Sequence, residues 1–207
     1  MLVSTSFLSS TNIPKDLQKL NETDTDYIHV DVMDGKFVKN KTMPFSEMKN
    51  IYKYTSKRLD VHLMVKNPKK YIKDYATLNT EFISFHVETD GVLENLELIK
   101  RHGIKCGLAI NPNTEIKELV PYIPLLDIVI VMSVEPGMGG QKFIINSKEK
   151  IDELKTLIKE YKSNISISVD GGINSDTKKY CKNADILVSG NYIISSMDFQ
   201  KRIEELR

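Results

Sequence analysis

Four side chains able to hold a metal ion or move a proton sit inside or at the end of short apolar runs. His29 and Asp31 lie in Tyr27-Ile28-His29-Val30-Asp31-Val32-Met33, His62 in Val61-His62-Leu63-Met64, and Asp170 closes Ile165-Ser166-Ile167-Ser168-Val169-Asp170. In an extended strand residues two apart share a face, so His29, Asp31 and Met33 point one way while Val30 and Val32 point the other. The same alternation puts His62 with Met64, and sets Ile165, Ile167 and Val169 against two small serines with Asp170 at the end. Two imidazoles and two carboxylates meeting at one point could hold a divalent ion such as Zn²⁺, Fe²⁺, Mn²⁺ or Co²⁺ and leave positions open for substrate oxygens. Two carboxylates reaching one ligand from different walls would also suit two-base proton transfer. A single inward His or Asp is more often a hydrogen-bonded structural group, but four converging at one mouth are hard to explain that way. His86 closes another apolar run and could join the site or be a satisfied rim histidine, whereas His102, near a helix end, reads as structural.

Glycine supplies the second chemical signal. Gly137-Met138-Gly139-Gly140, Asp170-Gly171-Gly172 and Gly190-Asn191 each follow an apolar run, and glycine lets backbone N–H groups approach an anion. One such turn is weak evidence, because tight turns use the same residues; three after successive strands point to a phosphate cradle. Met33, Met64 and Met132 fall on the inner faces near the same end, as adaptable packing or as a soft wall over a reaction intermediate.

The elements that must position these groups recur with a regular rhythm. Runs rich in Val, Ile and Leu return about every 20 to 35 residues with charged, helix-like segments between them. The predicted strands are Leu2–Ser6, Tyr27–Met33, Leu59–Met64, Phe82–His86, Lys105–Ile110, Ile128–Met132, Ile165–Asp170 and Ile186–Ser189. Helices are clearest over Phe45–Tyr54, Leu93–His102 and Ser147–Lys162, the last with Ile151, Leu154, Leu157, Ile158 and Tyr161 at helical spacing. Eight strand–helix repeats predict an α/β fold, a closed (β/α)8 barrel forming one domain over residues 1–207, with the active site at the C-terminal ends of the strands.

The chain has 207 residues, 41% hydrophobic and 28% charged, which suits one domain with a full core. With Lys plus Arg at 29 and Asp plus Glu at 28, no net field is available to hold a polyanion, so nucleic acid is not an expected partner. No apolar run approaches the roughly 20 residues that cross a bilayer, so no membrane association is expected. Cys106 and Cys181 lie far apart without a CxxC spacing, and MLVSTSFLSSTN lacks the regions of a signal peptide; a reduced, cytoplasmic protein is expected. The lysine-rich stretches Lys66–Lys73 and Lys148–Lys162 read as solvated helix faces.

Taken together, His29-Val30-Asp31-Val32-Met33-Asp34-Gly35, Val61-His62-Leu63-Met64-Val65, Val131 through Phe143 with its Glu135-Pro136-Gly137-Met138-Gly139-Gly140-Gln141 core, and Ser168-Val169-Asp170-Gly171-Gly172-Ile173 closely resemble ribulose-phosphate 3-epimerases in order and spacing. The resemblance implies one divalent metal held by His29, Asp31, His62 and Asp170, with Asp31 and Asp170 as the acid/base pair that inverts C3 of a phosphorylated ketose through a cis-enediolate. It implies substrate contacts from Ser6, His62, Met33, Met64 and Met132, and phosphate contacts from Gly137, Met138, Gly139, Gly140, Gly171, Gly172, Gly190 and Asn191. Homo-oligomers are common in that family, so one is expected here. The chain departs from the family's pattern at Lys36-Phe37-Val38-Lys39-Asn40, around Ser9-Ser10-Thr11, where an acidic residue is absent, and at Asn191, where serine is usual. An allulose-6-phosphate 3-epimerase shares these motifs and is the nearest rival, and a non-catalytic phosphosugar-binding barrel would be expected to have a broken carboxylate or metal set. An orotidine-phosphate decarboxylase-like enzyme would need a lysine between the carboxylates, which His29-Val30-Asp31-Val32-Met33-Asp34 lacks.

Overall fold

A computed structural model describes residues 1–207. Its strands are β1 (Leu2–Ser6), β2 (Tyr27–Met33), β3 (Leu59–Met64), β4 (Thr80–His86), β5 (Lys105–Ile110), β6 (Ile128–Met132), β7 (Ser166–Asp170) and β8 (Ile186–Ser189). Each pairs in parallel with its neighbour in chain order, and β8 pairs back onto β1, so the sheet closes into the expected (β/α)8 barrel. Only two strand starts differ from the expected ones: β4 begins earlier, at Thr80, and β7 one residue later, at Ser166.

Alternation along each strand separates two interiors. The outward residues Val30, Val32, Val61, Leu63, Ile167 and Val169 join one apolar cluster with Leu17, Leu20, Ile72, Leu96, Ile99, Ile151 and Leu154 from the helices. Full burial of such a side chain contributes about 1.5–3 kcal/mol, so this layer between sheet and helices dominates the stability. Inside the ring, Phe82, Ile128 and Ile186 pack together and Ala109, Ile130, Met132 and Val134 form a second group. The ring also encloses the fully buried polar residues Ser4, Asp60, Ser84 and Ser168. Gly107 belongs there for want of space: a Cβ would lie 2.3 Å from Ser84 Oγ and 2.4 Å from Ile128 Cγ2.

The outer elements are less regular than the strands. Helix α1 (Ile13–Asn21) opens on Asn12, whose side chain accepts from the Lys15 N–H, with Pro14 in its first turn. The stretch Phe45–Tyr54, expected as one helix, is a short α2 (Phe45–Met48) followed by a 3-10 segment over Lys49–Lys53. The Asn50 side chain donates to the carbonyl oxygens of Ser46 and Glu47 and so competes with the backbone for them. Helix α3 (Pro68–Tyr75) begins on its proline, and α4 (Val92–Arg101) matches the expected helix to within one residue. Between β5 and β6 the chain makes a 3-10 segment, Ile116–Leu125, because Pro121 and Pro124 cannot donate α-helical hydrogen bonds. Helix α5 (Ser147–Glu160) stops before Lys162, which takes a left-handed φ of 50°, and Tyr161, expected on the apolar stripe, is 48% exposed past the helix end. After β8 come α6 (Asn191–Ile194) and α7 (Phe199–Glu204). No helix is long and apolar enough to cross a membrane.

Candidate active site

Parallel register carries the strand-end residues to one point. Asp31 on β2 stands beside His62 on β3, Met33 beside Met64, and Met132 on β6 beside Asp170 on β7. One donor atom from each of His29, Asp31, His62 and Asp170 lies within 4.8 Å of all the others. His29 Nε2 is 3.4 Å from Asp31 Oδ1 and 3.7 Å from Asp170 Oδ2, while His62 Nδ1 is 3.5 Å from each of these oxygens. Neighbouring ligands on one ion, each bound at about 2.0–2.2 Å, lie about 2.8–3.6 Å apart, close to this spacing. His29 Nε2 and His62 Nδ1 are also buried nitrogens with no hydrogen-bond partner. A cation between the four groups would satisfy both, so the donor set fits a divalent ion.

Each ligand candidate is held from behind. Asp60 Oδ2 receives the His29 Nδ1 side at 2.8 Å and the Ser4 hydroxyl at 2.8 Å, which turns His29 Nε2 toward the cluster. His62 Nε2 meets His86 Nε2 at 2.9 Å, leaving Nδ1 for the cluster. Ser6 donates to Asp31 Oδ2 at 2.9 Å, so the serine that only the family resemblance brought forward is in contact with a proposed base. The Asp170 carbonyl accepts from the Ser133 N–H at 2.8 Å and from the Ser133 hydroxyl at 3.0 Å, anchoring β7 at the site.

Electrostatics follow from these contacts. Burial disfavours the charged form of each group, but Asp60 and then Asp31 hold the His29 pKa well above its ordinary value. Asp170 and Asp31 likewise outweigh burial to raise His62. Desolvation works against the Asp31 carboxylate, yet His29 and His62 keep it well below the usual range. His86 goes the other way: burial pushes it down to about 4, against the pull of Glu88.

Above this cluster opens a cavity of about 590 Å³. Asp31 and Asp170 sit on its wall with Ser6, Met33, Met64 and Met132, whereas His29 and His62 lie wholly buried beneath. Gly137, Met138, Gly139, Gly140, Gly171, Gly172, Gly190 and Asn191 line the remainder, so the three glycine turns do converge. Gly171 has φ 122° and Gly172 φ 64°, and a Cβ would meet Val134 Cγ2 at 2.4 Å or the Phe143 nitrogen at 2.5 Å. The N–H groups of Gly171, Gly172 and Gly190 donate to no protein acceptor, which leaves them free for an anion. Across the mouth, Asn40 donates to the Gly137 carbonyl at 2.8 Å, and Val38 fills the space a Gly137 side chain would need.

Sequence reasoning passed over Asp60, although alternation through Asp60-Val61-His62-Leu63-Met64 places it on the inner face. It also missed Asn174, Thr177, Lys179 and Tyr180 on the cavity wall. These come from the connection between β7 and β8, where no strand periodicity marks them.

The model of the ribulose-phosphate 3 epimerase family matches residues 2–194. Ribulose-phosphate 3-epimerases of Helicobacter pylori strain J99 and Bacillus subtilis strain 168 are each 37% identical to all of this chain, over 97% and 95% of their own lengths. That of Escherichia coli strain K12 is 35% identical, with coverage of 100% and 94%. Among solved structures, tryptophan synthase of Mycobacterium tuberculosis superposes with a TM-score of 0.72 at 14% identity, covering 99% of this chain and 90% of that one. The 3-hexulose-6-phosphate synthase of Salmonella typhimurium gives 0.70 at 17% identity, covering 100% and 96%. These two share the fold alone. Full-length identity to the epimerases, read with the His and Asp cluster under a glycine-lined cavity, leads to one conclusion: the chain belongs to the ribulose-phosphate 3-epimerase family.

Proposed function

We propose that the protein interconverts D-ribulose 5-phosphate and D-xylulose 5-phosphate by two-base proton transfer at C3, a step of the pentose phosphate pathway. One observation carries the reading: Asp31 and Asp170 share a site with two buried imidazole nitrogens that have no partner in the protein. His29 Nε2, Asp31, His62 Nδ1 and Asp170 would hold a divalent ion, which when bound supplies the Lewis acidity that makes a hydroxyl-bearing carbon next to a carbonyl easier to deprotonate.

The rest is done by the chain's own groups. The free amides of Gly171, Gly172 and Gly190 bind the phosphate and so set the distance from that end to the reacting carbon. Asp31, on β2, and Asp170, on β7, reach C3 from different walls of the barrel. One removes the C3 proton and the other delivers a proton to the opposite face of the enediolate, inverting the centre; the roles exchange with direction. Ser6 holds Asp31 Oδ2 in place at 2.9 Å. Met33, Met64 and Met132 line the cavity with apolar, polarisable surface that keeps water from the planar intermediate.

The cytoplasm is the proposed compartment, supported by two buried cysteines that are unpaired; a homo-oligomer is proposed from the family resemblance alone. The test follows C3 proton exchange of D-ribulose 5-phosphate in deuterated water, with and without prior chelation, beside D-allulose 6-phosphate. Metal-dependent exchange with formation of xylulose 5-phosphate is the expected result. Preference for the six-carbon sugar would replace the substrate, and no exchange with either sugar in metal-loaded protein would make the barrel a binding protein.

A further inference from the structure

The contacts behind His62 continue beyond the cluster and end in the turn after β5. His62 Nε2 lies 2.9 Å from His86 Nε2, and His86 Nδ1 lies 3.1 Å from Glu88 Oε2. The other oxygen, Glu88 Oε1, accepts from the backbone N–H of Asn111 at 2.9 Å and from the Thr114 hydroxyl. Lys150 on α5 pins that turn, its Nζ donating to the carbonyl oxygens of Asn111, Pro112 and Thr114 at 2.9, 2.7 and 2.5 Å. The Phe37 ring packs on His86 with centroids 4.6 Å apart, holding the imidazole in this orientation.

We infer that Glu88 is a positioning residue for His62, acting through His86 by dictating which ring nitrogen of each imidazole carries hydrogen. The inference rests on the reading that His62 Nδ1 holds the metal ion. An ionised carboxylate only accepts hydrogen bonds, so His86 Nδ1 carries the hydrogen and His86 Nε2 keeps its lone pair. That lone pair accepts from His62 Nε2–H, which leaves the lone pair of His62 on Nδ1, the atom facing Asp31 and Asp170. Asp60 does the same for His29 in a single step. The direction of the whole chain is therefore set at its far end, by a residue that touches neither ion nor substrate. Such partners of metal-binding histidines fix the tautomer and orient the ring.

Substitution E88Q reverses the direction while preserving shape. The Asn111 N–H can only donate, so the glutamine carbonyl oxygen must take the Oε1 position and its NH₂ must face His86 Nδ1. His86 then carries hydrogen on Nε2, His62 Nε2 becomes the acceptor, and the His62 hydrogen moves to Nδ1, where it blocks the ion. Two readouts test this in the full-length protein: zinc affinity by competition with a chromophoric chelator, and imidazole ¹⁵N shifts of His86. Wild-type protein is expected to show His86 protonated on Nδ1, and E88Q to show it on Nε2 with zinc bound about 10–100-fold more weakly. Loss of packing alone would not exchange the two nitrogens. Zinc held equally by wild type and E88Q, or the same His86 tautomer in both, would overturn the relay while leaving the metal reading intact; wild-type protein that binds no zinc would overturn the metal reading itself.

Discussion

Replacing Gly171 by alanine should damage both the barrel and its phosphate end, by an amount the geometry sets. Gly171 has φ 122°, and a Cβ would stand 2.4 and 2.8 Å from the two Val134 methyls and 2.9 Å from the Val134 nitrogen. A strained backbone conformation costs about 1–3 kcal/mol, and overpacking a well-filled interior adds about 1–3 kcal/mol, so the midpoints sum to about 4 kcal/mol. For a chain of this size each kcal/mol lowers the melting temperature by about 2–4 °C, which gives a fall of about 12 °C. Gly140 supplies the control: its φ is 74°, but nothing lies within 4 Å of a built Cβ. G140A therefore costs only the left-handed penalty of about 1–2 kcal/mol, or about 5 °C at the same conversion. Calorimetric melting of wild type, G140A, G171A, V134A and the G171A/V134A double mutant separates the two causes. The double mutant should be more stable than additivity predicts by at least about 1 kcal/mol, because the clashing methyls are gone. Equal losses for G140A and G171A, or strict additivity with V134A, would refute the steric argument. In kinetics, if the Gly171 amide binds the phosphate as proposed, G171A should raise KM for the phosphosugar more than it lowers kcat, because the displaced amide would lie away from the reacting carbon.

Other expectations follow from the site. D170N should keep its melting temperature within a few degrees yet lose at least ~10²-fold in turnover, and a fully active variant would remove Asp170 from the acid/base pair. D60N keeps the volume but places a buried amide NH₂ where Oδ1 already lacks a partner; titration with a competing chelator should show zinc bound about 10–100-fold more weakly, and unchanged affinity would sink the claim that Asp60 orients His29. Asp60 and Asp31 raise the pKa of His29, and Asp170 and Asp31 that of His62, against the effect of burial, so protons compete with the ion for both imidazoles as the pH falls. Zinc uptake should release protons and weaken as pH falls; calorimetry in buffers of differing ionisation enthalpy follows both, and an affinity that does not change between neutral and acid pH contradicts the assignment.

Period-two alternation makes the barrel and most of the cluster legible in the sequence. It sorts His29, Asp31 and Met33 from Val30 and Val32, and the strand register sets Asp31 against His62. The same rule reaches Asp60, whose importance stays hidden because a buried carboxyl on a strand has no meaning until its imidazole partner is known. His86 is legible as a strand-end histidine but not as a link, since its partners come from β3 and the segment just past β4, and Glu88 is held in turn by the turn after β5. Helical segments are harder: the change from α to 3-10 after Met48 goes with the Asn50 side chain competing for carbonyl oxygens, a contest that apolar spacing does not record. The wall formed by Asn174, Thr177 and Lys179 is invisible in the sequence because irregular connections carry no period.

The bond from Asn40 to the Gly137 carbonyl, with Val38 seated against Gly137, joins the loop after β2 to the loop after β6 from opposite sides of the ring. For anyone redesigning the substrate range, these two loops form one graftable unit. Transplanting the segment 137–140 alone would leave Asn40 reaching for a carbonyl that has moved and Val38 over an unfilled gap. A library that varies residues 36–40 together with 137–140 would sample specificities that variation of either loop alone would miss.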